Sequence, residues 1–331
     1  MPLSVTKGEL NRLGDRLIAT DSIAEADLEA LAAVLADYQQ VLERVKALLS
    51  DMGFASAAAR VKTTGTLRDK LRRSPGMRLS RMQDLAGARV VVADVERQNE
   101  ATDTICKSLE YEGCPCRVVD RRENPSFGYR AVHVVTHVDS MPVEIQIRTE
   151  LQNTWAQIFE RLGDQWGRGI RYGEDPESPD VTVRSGELRI ARRQAIGILM
   201  QLSETIGMFE QARAEVADNR QALARLTPLI QGWKQLGPDG NPRLTGKIPQ
   251  VLWPLRDELL NLSNKYAGSV NQDLMSAGPD MTGEQLVVLA EECHTVLSNK
   301  ITERDMALRQ SEQGLRGILQ RIADARDNER E

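Results

Sequence analysis

At 331 residues, with 41% hydrophobic and 27% charged side chains, the chain has the balance of a folded protein of one large domain or two ordinary ones, which excludes general disorder. A formal net charge of −5 argues against a general polyanion binder and leaves room for a local basic patch. Only 4% of residues are aromatic, and the long stretches rich in Ala, Leu, Glu, Arg and Gln favour helix.

In chain order, the first stretch, 1–17, has no apolar signal-peptide core, and nowhere does the chain approach about 18 uninterrupted apolar residues. A cytoplasmic enzyme with no membrane partner is therefore expected. Residues from Ala24 to Ser50 predict one amphipathic helix, with Leu28, Leu31, Leu35, Tyr38, Leu42, Val45 and Leu49 at steps of three and four. Asp21 and Ser22 are its N-cap candidates. A basic stretch follows, Arg60 to Arg73, expected as a loop leading into a short helix.

The period then changes. Ala88–Ala93 is short and β-branched, Val95–Tyr111 returns to helical spacing, and Arg117–Asp120, Tyr129–Val138 and Val143–Thr149 are three further strands. The last two, separated by Asp139 to Pro142, predict an antiparallel hairpin, and Glu150–Leu162 a helix. The four cysteines, Cys106, Cys114, Cys116 and Cys293, lack paired C-x-x-C spacing and are expected to be reduced structural thiols. The expected fold class is α+β: a mixed sheet flanked by helices, followed by an all-helical C-terminal region.

Gly173 to Pro179 shifts to Gly, Glu, Asp, Pro and Ser, a linker composition. Helical spacing resumes from Leu188 through Leu226, breaks at Gly237 to Pro242, and returns over Val251–Asn264 and Gly283–Arg326. The expected organisation is a domain over 1–172, a linker over 173–182 and a helical region over 183–331. That region would serve as an oligomerisation unit, a regulatory lid or an in-chain inhibitor, with plain core packing as the bland alternative. A homo-oligomer is expected.

The chemistry concentrates before the linker. In Val143–Thr149 strict alternation puts Glu144, Gln146 and Arg148 on one face and Val143, Ile145 and Ile147 on the other. An acid, an amide and a guanidinium in a row suit a metal, a hydroxyl and a phosphate, although a half-solvated sheet gives the same alternation. Asp84 lies just before Gly87 and Arg89; Arg60, Lys62, Arg68, Lys70, Arg72, Arg73 and Arg78 concentrate positive charge upstream. Basic residues ahead of one acid, with a second acid in a polar strand, fit a Mg²⁺–nucleotide complex, because Mg²⁺ takes one or two carboxylates and completes its shell with water and phosphate.

Four motifs in sequence make the pattern specific: Lys62 with Lys70-Leu-Arg-Arg73; Asp84-Leu-Ala-Gly-Ala-Arg89; Gly128-Tyr-Arg-Ala-Val-His133; and Glu144-Ile-Gln-Ile-Arg-Thr149, followed by Trp155-Ala156. Together they resemble the synthetase domain of the RelA/SpoT family, and Asn11 to Arg16 is similar to the start of its short members. The resemblance implies a nucleotidyltransferase-like synthetase fold that transfers the β,γ-pyrophosphate of ATP to a ribose 3′-hydroxyl and releases AMP. The usual acceptor is GDP or GTP, giving (p)ppGpp. It implies Asp84 and Glu144 as Mg²⁺ ligands, Glu144 also accepting or orienting the hydroxyl proton, and Arg60, Lys62, Lys70, Arg73 and Arg89 as ATP-binding residues. Tyr129 resembles the residue on which the acceptor base stacks; His133 and Gln146 resemble residues lining the transferred phosphates or acceptor sugar, and Arg148 reaches phosphate or holds Glu144.

Two departures fall on the acceptor side. Guanosine-specific members often carry Pro-Lys-x-Asn before Gly-Tyr, where this chain has Asn124-Pro-Ser-Phe127 preceded by Arg121-Arg122. The helix after the hairpin lacks the acidic residue that some members have near Gln157. A toxin-like relative acting on the 3′ CCA end of tRNA, with Arg121 and Arg122 steering the acceptor, is therefore the second expectation. A catalytically weak nucleotide sensor or partner-binding protein is the third. The three histidines, His133, His137 and His294, cannot supply the ligand set that family hydrolase halves need, so a synthetase-only chain is expected.

Overall fold

The computed structural model describes residues 4–185, 188–235, 252–266, 281–324 and 326–327. The chain divides into two compact units, Met1–Gly207 with Ile318–Glu331, and Met208–Gly317.

The first unit opens with helix α1 (Lys7–Ala19), started by a capping box in which Glu9 N donates to Thr6 Oγ1 at 3.3 Å and Thr6 N donates to Glu9 Oε2 at 2.8 Å. Helix α2 (Glu25–Asp51) buries Leu31, Tyr38, Leu42, Val45 and Leu49 as their spacing predicts, whereas Leu28 is 42% exposed. Its N-cap is Ala24, with no side-chain cap, rather than Asp21 or Ser22. Asp21 is engaged elsewhere: its Oδ1 accepts from Arg72 Nη2 at 2.9 Å.

A five-stranded sheet follows, with β1 (Ala58–Val61), β2 (Ala86–Val92), β3 (Cys116–Asp120), β4 (Val132–Val138) and β5 (Met141–Thr149) in the order β1-β2-β5-β4-β3. Strands β2 and β5 run parallel and the other neighbours antiparallel, so the sheet is mixed. Strand β1 lies where a loop is expected, because Ala-Ala-Arg-Val at a half-exposed edge carries no apolar alternation. The β4–β5 hairpin closes on Asp139 and Ser140, at φ 50° and 66°, the paired positive dihedrals whose twist matches two antiparallel strands. Strand β4 starts at Val132 rather than Tyr129, since Tyr129 N donates to Ser126 O at 3.0 Å and closes a turn of its own.

Helix α3 (Thr64–Arg73) follows β1, helix α4 (Val95–Tyr111) follows β2, and helix α5 (Glu150–Trp166) continues directly from β5. Thr149 ends the strand and caps α5 in a reciprocal arrangement with Gln152, which is why no loop separates them. The apolar sheet face, with Ala88, Val90, Val134, Ile145 and Ile147, packs in one core with α2 and with Ile105 and Leu109 of α4. Ile145 and Ile147 are fully buried, and truncating either to alanine would cost about 2–5 kcal/mol. This face fixes the other: with period two, the remaining side chains of β2, β4 and β5 point away from that core.

A short 3-10 helix, Arg168–Tyr172, and a small antiparallel sheet of β6 (Thr182–Ser185), β7 (Leu188–Ala191) and β8 (Arg326–Asp327) complete the secondary structure around the linker-like stretch. Helix α6 (Arg192–Gln235) therefore starts after Leu188, whose segment pairs with β6. In the second unit, Leu223 and Ile230 of α6, Leu255 and Leu259 of α7 (Trp253–Tyr266), and Leu286, Ala290 and Leu297 of α8 (Gly283–Ala323) share one core. The Gly237–Pro242 break lies outside the described residues. Among the described residues no helix is long and apolar enough to cross a membrane.

Candidate active site

The polar face of the sheet is ordered by cross-strand register. One row runs Arg60, Gly87, Glu144 across β1, β2 and β5; the next runs Arg89, Gln146, His133 across β2, β5 and β4. Gly87 lies within β2, and a Cβ there would meet only Glu144 O, at 3.6 Å. Its missing side chain leaves open floor between an arginine and a glutamate. Above this floor lies a cavity of about 550 Å³, lined by Arg60, Lys62, Lys70, Arg73, Asp84, Arg89, Glu144 and Gln146 among others.

Asp84 stands at the junction of β1, α3 and β2. Its Oδ2 accepts from Lys62 Nζ and Lys70 Nζ, both at 2.8 Å. Lys62 is carried in by β1, and Thr63 caps α3, which then presents Lys70 one face over. Burial pushes the Asp84 carboxyl upward, but the two ammonium groups outweigh it and hold it below the ordinary aspartate value.

Glu144 is held by two neighbours: Oε1 lies 3.0 Å from His133 Nδ1, and Oε2 accepts from Gln146 Nε2 at 2.9 Å. Burial again raises the carboxyl, and the His133 and Gln146 hydrogen bonds bring it net below the ordinary glutamate value, although the Asp84 charge opposes them. With Glu144 ionised, His133 Nδ1 donates to it, and His133 Nε2 lies 2.9 Å from the Tyr129 hydroxyl. Arg148, 1% exposed, donates from Nη2 to that hydroxyl at 3.1 Å and to Gln146 Oε1 at 2.8 Å. Its guanidinium also lies over the Tyr129 ring, 4.9 Å from the centroid. Arg148, Tyr129, His133 and Glu144 thus form one hydrogen-bonded chain behind the cavity.

The donor set fits a magnesium ion. Asp84 Oδ1 is buried with no hydrogen-bond partner, the state expected of an oxygen kept for a hard cation, and the charge of Asp84 bears directly on Glu144.

The upstream basic cluster separates by helical period. Lys70 and Arg73 line the cavity, whereas Arg68 donates to the carbonyls of Leu17 and Thr20, Arg72 pairs with Asp21, and Arg78 with Asp15. Tyr129, His133 and Arg148 are joined to the cavity through Gln146 and Glu144. Arg121 and Arg122 do not line it. Arg122 is chelated by Asp120 and donates from Nη1 to Asn99 Oδ1 of α4 at 2.7 Å.

Sequence reasoning missed four charged or aromatic side chains that line the cavity: Glu160, Arg168, Arg171 and Tyr172. Glu160 Oε1 lies 3.6 Å from Arg89 Nη2 and 3.5 Å from Arg148 Nη2, bridging the two guanidiniums. Tyr172 takes the Arg73 guanidinium on its ring at 4.2 Å, and Arg168 Nη1 pairs with Asp69 Oδ2 of α3 at 2.5 Å. The available signal was two arginines and a tyrosine set between Gly167 and Gly173 just after α5.

Comparison with known proteins finds similarity over the segment that carries this site. Residues 59–162 match the model described as "Region found in RelA / SpoT proteins". An uncharacterized protein of Mycobacterium tuberculosis is 39% identical over 153 residues, 46% of this chain and 54% of the relative, so the chain spans about half the length of that relative. GTP pyrophosphokinase YjbM of Bacillus subtilis is 28% identical over 205 residues, 54% of this chain and 90% of the relative. The crystal structure of small alarmone synthetase 1 from Bacillus subtilis aligns at TM-score 0.44 and 21% identity, over 58% of this chain and 98% of that one.

Proposed function

We propose that this chain, whose residues 59–162 belong to the RelA/SpoT family, is an ATP-dependent pyrophosphokinase that transfers the β,γ-pyrophosphate of ATP to the 3′-hydroxyl of GDP or GTP. The observation that carries the reading is the junction of β1, α3, β2 and β5. There a lysine-paired Asp84 with an orphan oxygen and Glu144 line one cavity together with Arg60, Lys62, Lys70, Arg73 and Arg89. Similarity to a relative named as a GTP pyrophosphokinase supports the acceptor class.

In this reading the cationic rim binds the ATP triphosphate, with lysines as point charges and arginines as planar forks. Asp84 and Glu144 would hold magnesium, which when bound supplies charge neutralisation on the phosphate oxygens. Lys62 and Lys70 keep Asp84 ionised and fixed. Glu144 orients the acceptor hydroxyl and takes its proton, and His133 keeps the carboxylate aimed. The 3′-oxygen forms a bond to the β-phosphorus as the bond from that phosphorus to the α,β-bridging oxygen breaks. The electron pair leaves with AMP. Lowered carboxyl values at Asp84 and Glu144 keep both ionised at neutral pH, as the reading requires.

Incubation with γ-labelled ATP and magnesium, offering GDP, GTP and deacylated tRNA in parallel, tests this. Label on the guanine nucleotide with stoichiometric AMP is expected. Label on tRNA alone would transfer the chemistry to the 3′ CCA end, and no label anywhere would leave a nucleotide sensor.

A further inference from the structure

Helix α6 begins beyond the family-matched segment, yet its first turns grip the loop that carries Tyr129. That loop is a tight turn with Phe127 at φ 50° and Gly128 at φ 78°. Positive φ at a bulky aromatic is costly, and such a turn persists only where its surroundings hold it.

The holding contacts converge on one residue, through its hydroxyl and its carbonyl. Ser203, 2% exposed, donates its hydroxyl to Gly128 O at 2.5 Å. Arg130 Nε donates back to Ser203 O at 3.0 Å and lies 3.2 Å from its Oγ. Both peptide neighbours of Tyr129 are therefore tied to the same residue. The fit around them is tight. A Cβ on Gly128 would come 2.8 Å from Trp155, and a Cβ on Gly207 would come 2.8 Å from the Arg130 guanidinium. Trp155 Nε1 in turn donates to Leu199 O at 2.6 Å, locking α5 to α6 beside the loop.

We propose that Ser203 is a positioning residue for the acceptor side of the site: by fixing both flanks of Tyr129 it sets where the acceptor nucleoside meets Tyr129, His133 and Gln146. This rests on the pyrophosphokinase reading. It also gives the start of α6 a part in acceptor recognition. The hydrogen-bond partners of Ser203, Gly128 and Arg130, do not line the cavity proposed for ATP, so its effect is expected on one substrate.

The full-length Ser203→Ala variant tests the assignment by steady-state kinetics and by hydrogen exchange of peptides covering 122–131. The expected result is a KM for GDP raised about tenfold, a KM for ATP within about twofold of wild type, and faster exchange in that loop. Arg130→Gln, which loosens the same clamp from the other side, is expected to give the same one-sided KM change if Ser203→Ala does not fold. Both KM values rising together, or neither moving, would overturn the proposal. A wild-type protein that pyrophosphorylates neither GDP nor GTP refutes the activity instead. Exchange then decides alone: faster exchange confined to 122–131 retains the clamp, and unchanged exchange removes it.

Discussion

Replacing Asp84 with asparagine removes one negative charge from between two ammonium groups, each 2.8 Å from Oδ2. A charge-assisted hydrogen bond contributes about 1.5–3 kcal/mol net. Asp84, Lys62 and Lys70 are 24%, 21% and 32% exposed, so solvent screening takes the lower end for each contact. The amide oxygen keeps one contact in neutral form, leaving a net loss of about 2 kcal/mol, or roughly 4–8 °C in Tm for a unit of this size. The sign with pH follows from the lowered Asp84 value. The stabilisation is fully present above the unfolded aspartate value of about 3.9 and is lost as pH falls through the folded value below it. Thermal melts of both proteins in chelator, from pH 8 to below 4, should show a constant gap down to about pH 5 that closes under pH 4. Turnover with magnesium should fall by at least about a hundredfold. A Tm within one degree of wild type at pH 7, or a gap that widens on acidification, would refute the lysine-pairing argument even if turnover is lost.

Three further outcomes are expected. Glu160→Gln frees Arg89 and Arg148 from their shared carboxylate and should lower the KM for ATP about threefold; an unchanged or raised KM counts against Glu160 as a competing anion. Gly128→Ala sets a Cβ against Trp155 and Met200 at φ 78°, and should lower stability by about 1–3 kcal/mol in denaturant titration; a neutral effect would contradict the close packing of the loop. Chelation of magnesium should abolish transfer while lowering Tm only slightly, because Lys62 and Lys70 already compensate Asp84; a large chelator-induced drop in Tm would mean a structural ion.

Much of the site was legible in the chain. The alternation of Val143 to Thr149 is a property of any strand with one buried face, and it separates Glu144 and Gln146 from Ile145 and Ile147 without further information. The stripe of α2 is likewise local, requiring only residues within a turn of one another, whereas its N-cap, Ala24, has no side-chain hydrogen bond for the sequence to signal. Strand β1 was missed for a matching reason: four half-exposed residues at a sheet edge carry no periodic signal of their own.

The sequence by itself therefore determined the main helices, four of the five strands of the large sheet, the polar face of β5, the basic stretch around α3 and the family resemblance. Only the tertiary structure decided which cations that face receives. Lys70 turns toward Asp84 and Arg73 toward the cavity while Arg68 and Arg72 turn toward the end of α1, and this depends on where α1 packs, about fifty residues away in the chain. It also decided that Arg122 spends its guanidinium on Asp120 and Asn99, that Glu160 bridges Arg89 and Arg148, and that Ser203 holds both flanks of Tyr129. The physical reason is range. Periodicity and capping arise within a few residues, whereas an ion pair or a clamp needs two segments whose approach is set by sheet register and core packing.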